Sequence, residues 1–177
     1  MKIFHYIFFS CIVNFSSVLI AQSIVVVDIQ NIIDNNQNFI DTVTELEISQ
    51  QKFLNLFKKK EIELKKNFDE IENSKLILNQ NEINIQIDNY NKEFNKFSIL
   101  VNEFNLHYKE QINKMREVLL NEIIQLLENY AINNEIELIL DSNNYLIASS
   151  SIDITELIKI QLNETNILLE YNDFEEN

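Results

Sequence analysis

The 177-residue sequence predicts a mainly α protein in which a long antiparallel helical hairpin, a coiled-coil arm, projects from a small β body. Three observations carry that reading. The chain contains no Gly and no Pro, the two residues that most weaken a helix interior. An apolar stripe of helical period runs through roughly residues 31–133. Short β-branched runs stand on either side of it. Codon usage in an AT-rich genome is a second source for the missing Gly and Pro, since the chain is crowded with Asn, Ile and Lys.

The chain opens with Met1-Lys2, an apolar run from Ile3 to Val13, a second apolar patch at Val18–Ile20, and small residues at Ala21 and Ser23. This is the order of a cleavable secretory signal peptide. Asn14, Ser16 and Ser17 interrupt the run, which leaves it short of the roughly 18 apolar residues of a membrane span. Residues 1–21 are expected to be the signal, with cleavage after Ser23 as the alternative. Removing the signal takes Cys11 and His5 with it, so the mature chain keeps no Cys and the single His107. Disulfides and thiolate metal sites are then excluded.

Next comes a strand over about 24–28, Ile24-Val25-Val26-Val27-Asp28. The helical arm follows, about 31–133. Its first half carries the stripe Val43, Leu46, Gln50, Phe53, Phe57, Lys60, Leu64, Phe68 and Ile71. Its second half carries Ile83, Ile87, Tyr90, Phe94, Phe97, Val101, Phe104 and Tyr108 at steps of four and three. The stripe continues through Ile112, Met115, Leu119, Ile123, Leu126 and Tyr130, and the extra step of four from Tyr108 to Ile112 is a stutter in the heptad pattern. Two stripes of similar length predict two helices packed along each other. Asn79 with Glu82 has capping-box spacing, which sets the hairpin tip near 78–80. Strands are expected at about 136–140 and 145–149, joined by a turn at Asn143-Asn144. Asp153 with Glu156 repeats the capping-box spacing and predicts a final helix over about 153–163. Residues 164–177 read as an acidic tail, disordered at its end. Three short strands cannot form a stable sheet alone, so helices cover them or other copies of the chain complete them.

The order strand, helical hairpin, strands, short helix after a signal peptide resembles the Skp (OmpH-like) family. Ile24–Asp28 with Gln30 resembles the family's opening strand and its V-D-x-Q continuation. Glu135–Asp141 resembles its D-L-V-L-D strand, and Asp153-Ile154-Thr155 its D-I-T helix start. The resemblance covers about residues 24–163 and makes residues 22–163 a Skp/OmpH-like domain. It implies a homotrimer whose strands form a shared β-barrel body, with three arms around a cavity. It further implies a periplasmic holdase that keeps unfolded outer-membrane β-barrel proteins from aggregating, without ATP or any other cofactor.

The residues themselves narrow the chemistry. Without Gly, a phosphate-cradling loop or a G-x-S-x-G elbow cannot be written. The formal charge is −14, from 14 basic and 28 acidic residues, which speaks against nucleic acid as a partner. Neighbouring carboxylates such as Glu61 and Glu63 lack the pocket that acid–base catalysis needs, so no enzyme is expected. The family's familiar members are basic, whereas here the basic residues gather at Lys58, Lys59, Lys60, Lys65 and Lys66. Contact with a membrane surface is therefore left open. Helical spacing assigns Phe53, Phe57, Phe68, Phe94, Phe97 and Phe104 to the seam between the helices. Leu54, Ile62, Leu76, Ile85 and Ile99 fall off the seam and are the candidates for client contact. Two other roles are open to such a chain: a structural coiled-coil or adhesion protein of the bacterial envelope, and a subunit of an envelope complex.

Overall fold

A computed structural model of the protein describes residues 23–175; the expected signal, 1–21, lies outside the described residues. The chain runs through strand β1 (Ile24–Val27), helix α1 (Ile29–Asp34), helix α2 (Gln37–Ser74) and helix α3 (Gln80–Asn134). Strand β2 (Leu138–Asp141), two 3-10 turns (Ser142–Asn144 and Ser150–Ile152) and helix α4 (Thr155–Glu164) follow. The described residues are thus mostly helical with a small strand portion.

Asn and Asp start the helices. The Asp28 side chain accepts from the Asn31 amide at 2.9 Å, and Asn36 accepts from Phe39 at 2.9 Å. Each satisfies one of the free amides of a first helical turn. The same device at Asn36 separates α1 from α2, a break that the apolar stripe does not announce. At the far end, Asn79 accepts from the amides of Asn81 and Glu82, while Glu82 accepts from the Asn79 amide at 3.2 Å. That reciprocal box opens the 55-residue α3, about 80 Å long at ~1.5 Å per residue. The other end of α3 closes on Glu135 in the left-handed region, φ 54° and ψ 39°. Gly commonly takes that position, and this chain has none.

The partners of α2 fall along α3 as their own numbers rise. Ser49 meets Tyr108, Phe57 meets Phe104 and Phe97, Lys60 meets Glu93, and Phe68 meets Tyr90. Phe57, Leu64 and Ile71, seven residues apart, are buried in this seam. Their neighbours in the stripe are less covered: Phe68 is 45% and Phe94 46% exposed. Two helices alone bury one stripe of each other, so the outer arm leaves its second row half-open. Toward the body a third layer closes it. Ile32, Ile33, Ile154, Ile158 and Leu162 join Met115, Leu119, Ile123 and Leu127 in one continuous core. Leu127, rather than the expected Leu126, is the buried residue of the last turns, because the row Leu119, Ile123, Leu127 faces that layer.

β1 and β2 pair in parallel, Ile24 opposite Leu138 through Val27 opposite Asp141. The expected strand over 145–149 is not there. Tyr145–Ser149 has no regular structure, and Leu146 and Ile147 are 100% and 91% exposed. The second edge of β1 is taken instead by Asp153, in an isolated bridge with Val26, and by Ile154, whose amide donates to the Val26 carbonyl at 2.9 Å. A strand exists only against a hydrogen-bonded partner, and within one chain residues 145–149 have none. The expected capping box of α4 is also replaced. Asp153 accepts from the amide and hydroxyl of Thr155, not from Glu156, and that hydroxyl in turn accepts from the Asp28 amide. Thr155 thereby ties the start of α4 to the end of β1.

Candidate functional site: the groove along the helical arm

The seam of α2 and α3 opens near its middle into a groove of about 1520 Å³. Its floor is aromatic, lined by Phe53, Phe57 and Phe97. Beneath them Phe104, fully buried, has the rings of Phe57 at 4.9 Å, Tyr108 at 4.8 Å and Phe53 at 5.7 Å around it. Rings meeting edge to face at these distances gain electrostatically as well as by burial. The walls carry Lys60 and Lys96 beside Glu93, Glu103 and Glu110, and tail residues 172–175 form one wall with Asp173 and Glu175, so carboxylates outnumber the lysines. Leu56, Ile99 and Leu106 stand at the rim, each more than half exposed. A second opening of about 500 Å³ lies further along the arm, over Phe68, Tyr90 and Phe94.

The expected disorder of the acidic tail stops short of residues 165–175. They leave α4 without regular structure and lie back along the arm. Asn38 Nδ2 donates to the Ile167 carbonyl at 2.7 Å. Leu169 and Phe174 are each 8% exposed and belong to the main core. Phe174 sits edge-on to Phe53 and Phe104, at 5.5 and 5.4 Å, and beside His107 at 5.6 Å. The Asn172 amide donates to Oε1 of the buried Gln111 at 3.1 Å, and the Asn172 carbonyl accepts from His107 Nε2 at 2.8 Å. Ser49 donates to the Asp173 carboxylate and shares its hydroxyl with Tyr108 at 3.2 Å. Burial, followed by the nearby carboxylates of Asp173 and Glu45, raises the Tyr171 hydroxyl above its ordinary pKa.

The five sequence candidates are all exposed, from 41% at Leu54 to 91% at Leu76. Leu54 and Ile62 lie on α2, Leu76 in the turn at its end, and Ile85 and Ile99 on α3. They do not converge. Ile99 alone of them lines the groove; Leu56, Leu106 and His107 are the groove residues that spacing passed over, and Gln111 holds the tail beside it. His107 is a packing and hydrogen-bonding residue here. The lysine cluster is a solvated face in which Lys60 pairs with Glu63 at 3.2 Å and Lys66 with Glu70 at 3.5 Å, contacts of little net stability at this exposure. Among the described residues, no helix is long and apolar enough to cross a membrane, and no group of three or more His, Cys, Asp or Glu is placed to hold a metal.

A two-stranded parallel body carrying very long helices with an open apolar groove defines a protein that presents surface rather than enclosing a site. The family model for outer membrane protein (OmpH-like) matches residues 23–162, and the chain belongs to that family. A solved structure from Caulobacter crescentus, described as an outer membrane chaperone (OmpH-like), has the same fold. Its TM-score is 0.59 at 12% identity, over 86% of this chain and 91% of that one. No curated protein sequence matches the chain.

Proposed function

We propose that the protein is an ATP-independent periplasmic holdase, exported by cleavage of residues 1–21, which binds unfolded outer-membrane β-barrel proteins and prevents their aggregation. The observation that carries this reading is the row of large apolar side chains left open along an arm of the OmpH-like family. Leu54, Ile62, Leu76, Ile85 and Ile99 are exposed on the arm or its tip, and membership of the family supports chaperone activity. A holder of unfolded chains needs such adjustable apolar surface, since its clients share hydrophobicity and not a sequence.

In this reading α2 and α3 form an antiparallel arm that projects from a β-barrel body shared by three copies. The open edge of β2 and the exposed Leu138, Leu146 and Ile147 support such sharing. Unpaired strand edges and exposed apolar loops are surfaces that self-association covers. The test dilutes a urea-unfolded outer-membrane β-barrel protein into buffer with increasing mature chain, residues 22–177, and follows light scattering. Suppression that saturates near three chains per client without ATP is the expected result. Unchanged aggregation at excess chain refutes the reading.

A further inference from the structure

Residues 165–175 lie beyond the segment that the family model matches, 23–162, yet they fill the most aromatic part of the arm. How they are held is informative. The amide and the carbonyl of one residue, Asn172, are both taken by side chains of α3, Gln111 and His107. Those two bonds read peptide backbone and are indifferent to the side chain they hold. Gln111 is 3% exposed with the tail in place, and its Oε1 accepts from the tail's backbone. Two residues further on, Phe174 packs edge-on against both Phe53 and Phe104, which touch each other. Three residues earlier, Leu169 is buried. Beyond Phe174 the groove continues open past Leu56 and Ile99.

We infer that the aromatic trough in which the tail lies, continuous with this groove, is a binding site for an extended polypeptide segment, recognised by one backbone position and by an aromatic side chain two residues after it. The chain's own tail is its internal, displaceable occupant. The natural competitor is an aromatic-bearing segment of an unfolded client, a step that rests on the function proposed above. Backbone bonds with one aromatic contact give the sequence tolerance that such clients require. A tethered occupant at an effective concentration of order millimolar keeps the aromatic floor covered until a stronger or multivalent segment arrives.

The probe is a fluorescein-labelled synthetic peptide of residues 165–177, titrated by anisotropy into the mature chain and into its L169A/F174A variant, each checked for native helicity. The peptide is expected to bind the variant at least about tenfold more tightly than the wild type, because its tethered rival is weakened. Methylation of the peptide nitrogen at Asn172 removes the donor to Gln111 and is expected to lower affinity for the variant about tenfold. Equal affinities for wild type and variant, or no binding to a natively helical variant, overturn the inference. So does an N-methylated peptide that binds as well as the parent, since apolar burial alone would then explain the tail. Wild-type affinity that weakens as chain concentration rises assigns the tail to a second copy and overturns an internal occupant. Unfolded β-barrel client is expected to displace the peptide from the variant. A client that binds the chain without displacing peptide overturns the competition while leaving the holdase reading intact. A client that binds neither form refutes the holdase reading, and peptide binding still upholds the trough as a peptide site.

Discussion

Replacing Phe104 by Ala tests whether the aromatic cluster beneath the groove is a structural keystone of the arm. Phe104 is fully buried, and four rings surround it: Tyr108 at 4.8 Å, Phe57 at 4.9 Å, Phe174 at 5.4 Å and Phe53 at 5.7 Å. A buried Phe→Ala change costs about 3–5 kcal/mol, the sum of lost transfer energy and the cavity left behind. Rings held by helices on two sides collapse poorly into such a cavity, and the edge-to-face pairs add to the loss, so the upper half of that range is expected. With a urea slope of about 2 kcal/mol per molar, the unfolding midpoint falls by roughly 2 M. The assay is far-UV circular dichroism in urea at one fixed chain concentration, because self-association shifts apparent stability. Phe94→Ala is the control. Phe94 is 46% exposed and stacks on Tyr90 at 6.0 Å, so its loss costs about 1 kcal/mol or less and moves the midpoint by under about 0.5 M. Equal shifts for the two variants would refute the assignment of Phe104 to the core and Phe94 to the open row.

Other perturbations probe the ends and the charges. Glu135→Gly relieves a left-handed residue that carries a side chain and is expected to stabilise the chain by about 0.5–1 kcal/mol, read as a higher thermal midpoint. Asn79→Ala removes the acceptor for the amides of Asn81 and Glu82, a local cost of about 1 kcal/mol. Hydrogen exchange should quicken at those two amides and stay unchanged in β1. Asp34 lies below its ordinary pKa chiefly because the Gln30 amide group bonds its carboxylate; burial pushes upward, and the bond and charge of Arg116 lower it again. At Asp141 burial pushes upward but is outweighed by bonds from the Asn143 side chain and from the amides of Ile29, Asn143 and Ser142. Both folded values lie below the unfolded ones, so their stabilisation is present above the usual carboxylate pKa of about 4 and is lost as pH falls through the folded values. The urea midpoint should hold from about pH 7 to 5 and drop below about pH 4, less steeply in Asp141→Asn.

The arm was legible because a periodic stripe states both a helix and its buried face, and because Asn79 and Glu82 write their cap into the sequence. The wall that buries the inner half of the stripe was not. Periodicity cannot distinguish a row covered by one neighbour, such as Phe68 and Phe94, from a row covered by two, such as Leu119 and Ile123. Residues 145–149 have strand composition, but strand propensity is a statement about fitting a half-buried pleated surface, and within one chain that surface belongs to Asp153 and Ile154. In the groove, four carboxylates masked the tail. Glu170, Asp173, Glu175 and Glu176 read as a solvated end, while Ile167, Leu169 and Tyr171 at every second residue carried the signal of an extended, half-buried segment. Gln111 was hidden for a simpler reason: a buried glutamine has no sequence signature until its partner's backbone is in place.

The parallel pairing of Ile24 with Leu138 sets the order in which the molecule can assemble. The two halves of the sheet are separated by the entire arm, so neither strand finds its partner until more than a hundred residues have been made. Closing so long a loop costs about 2 kcal/mol more than closing one of ten residues, and contacts this distant in sequence slow folding. The helices shorten that delay. Once α2 packs on α3 from the turn after Ser74, Phe39 is brought to Arg116, and the loop left to close between the strands falls from more than a hundred residues to about forty. The arm is therefore the crossover that makes the body possible, and a fault in its outer half, far from any strand, should appear first as slow or failed sheet formation.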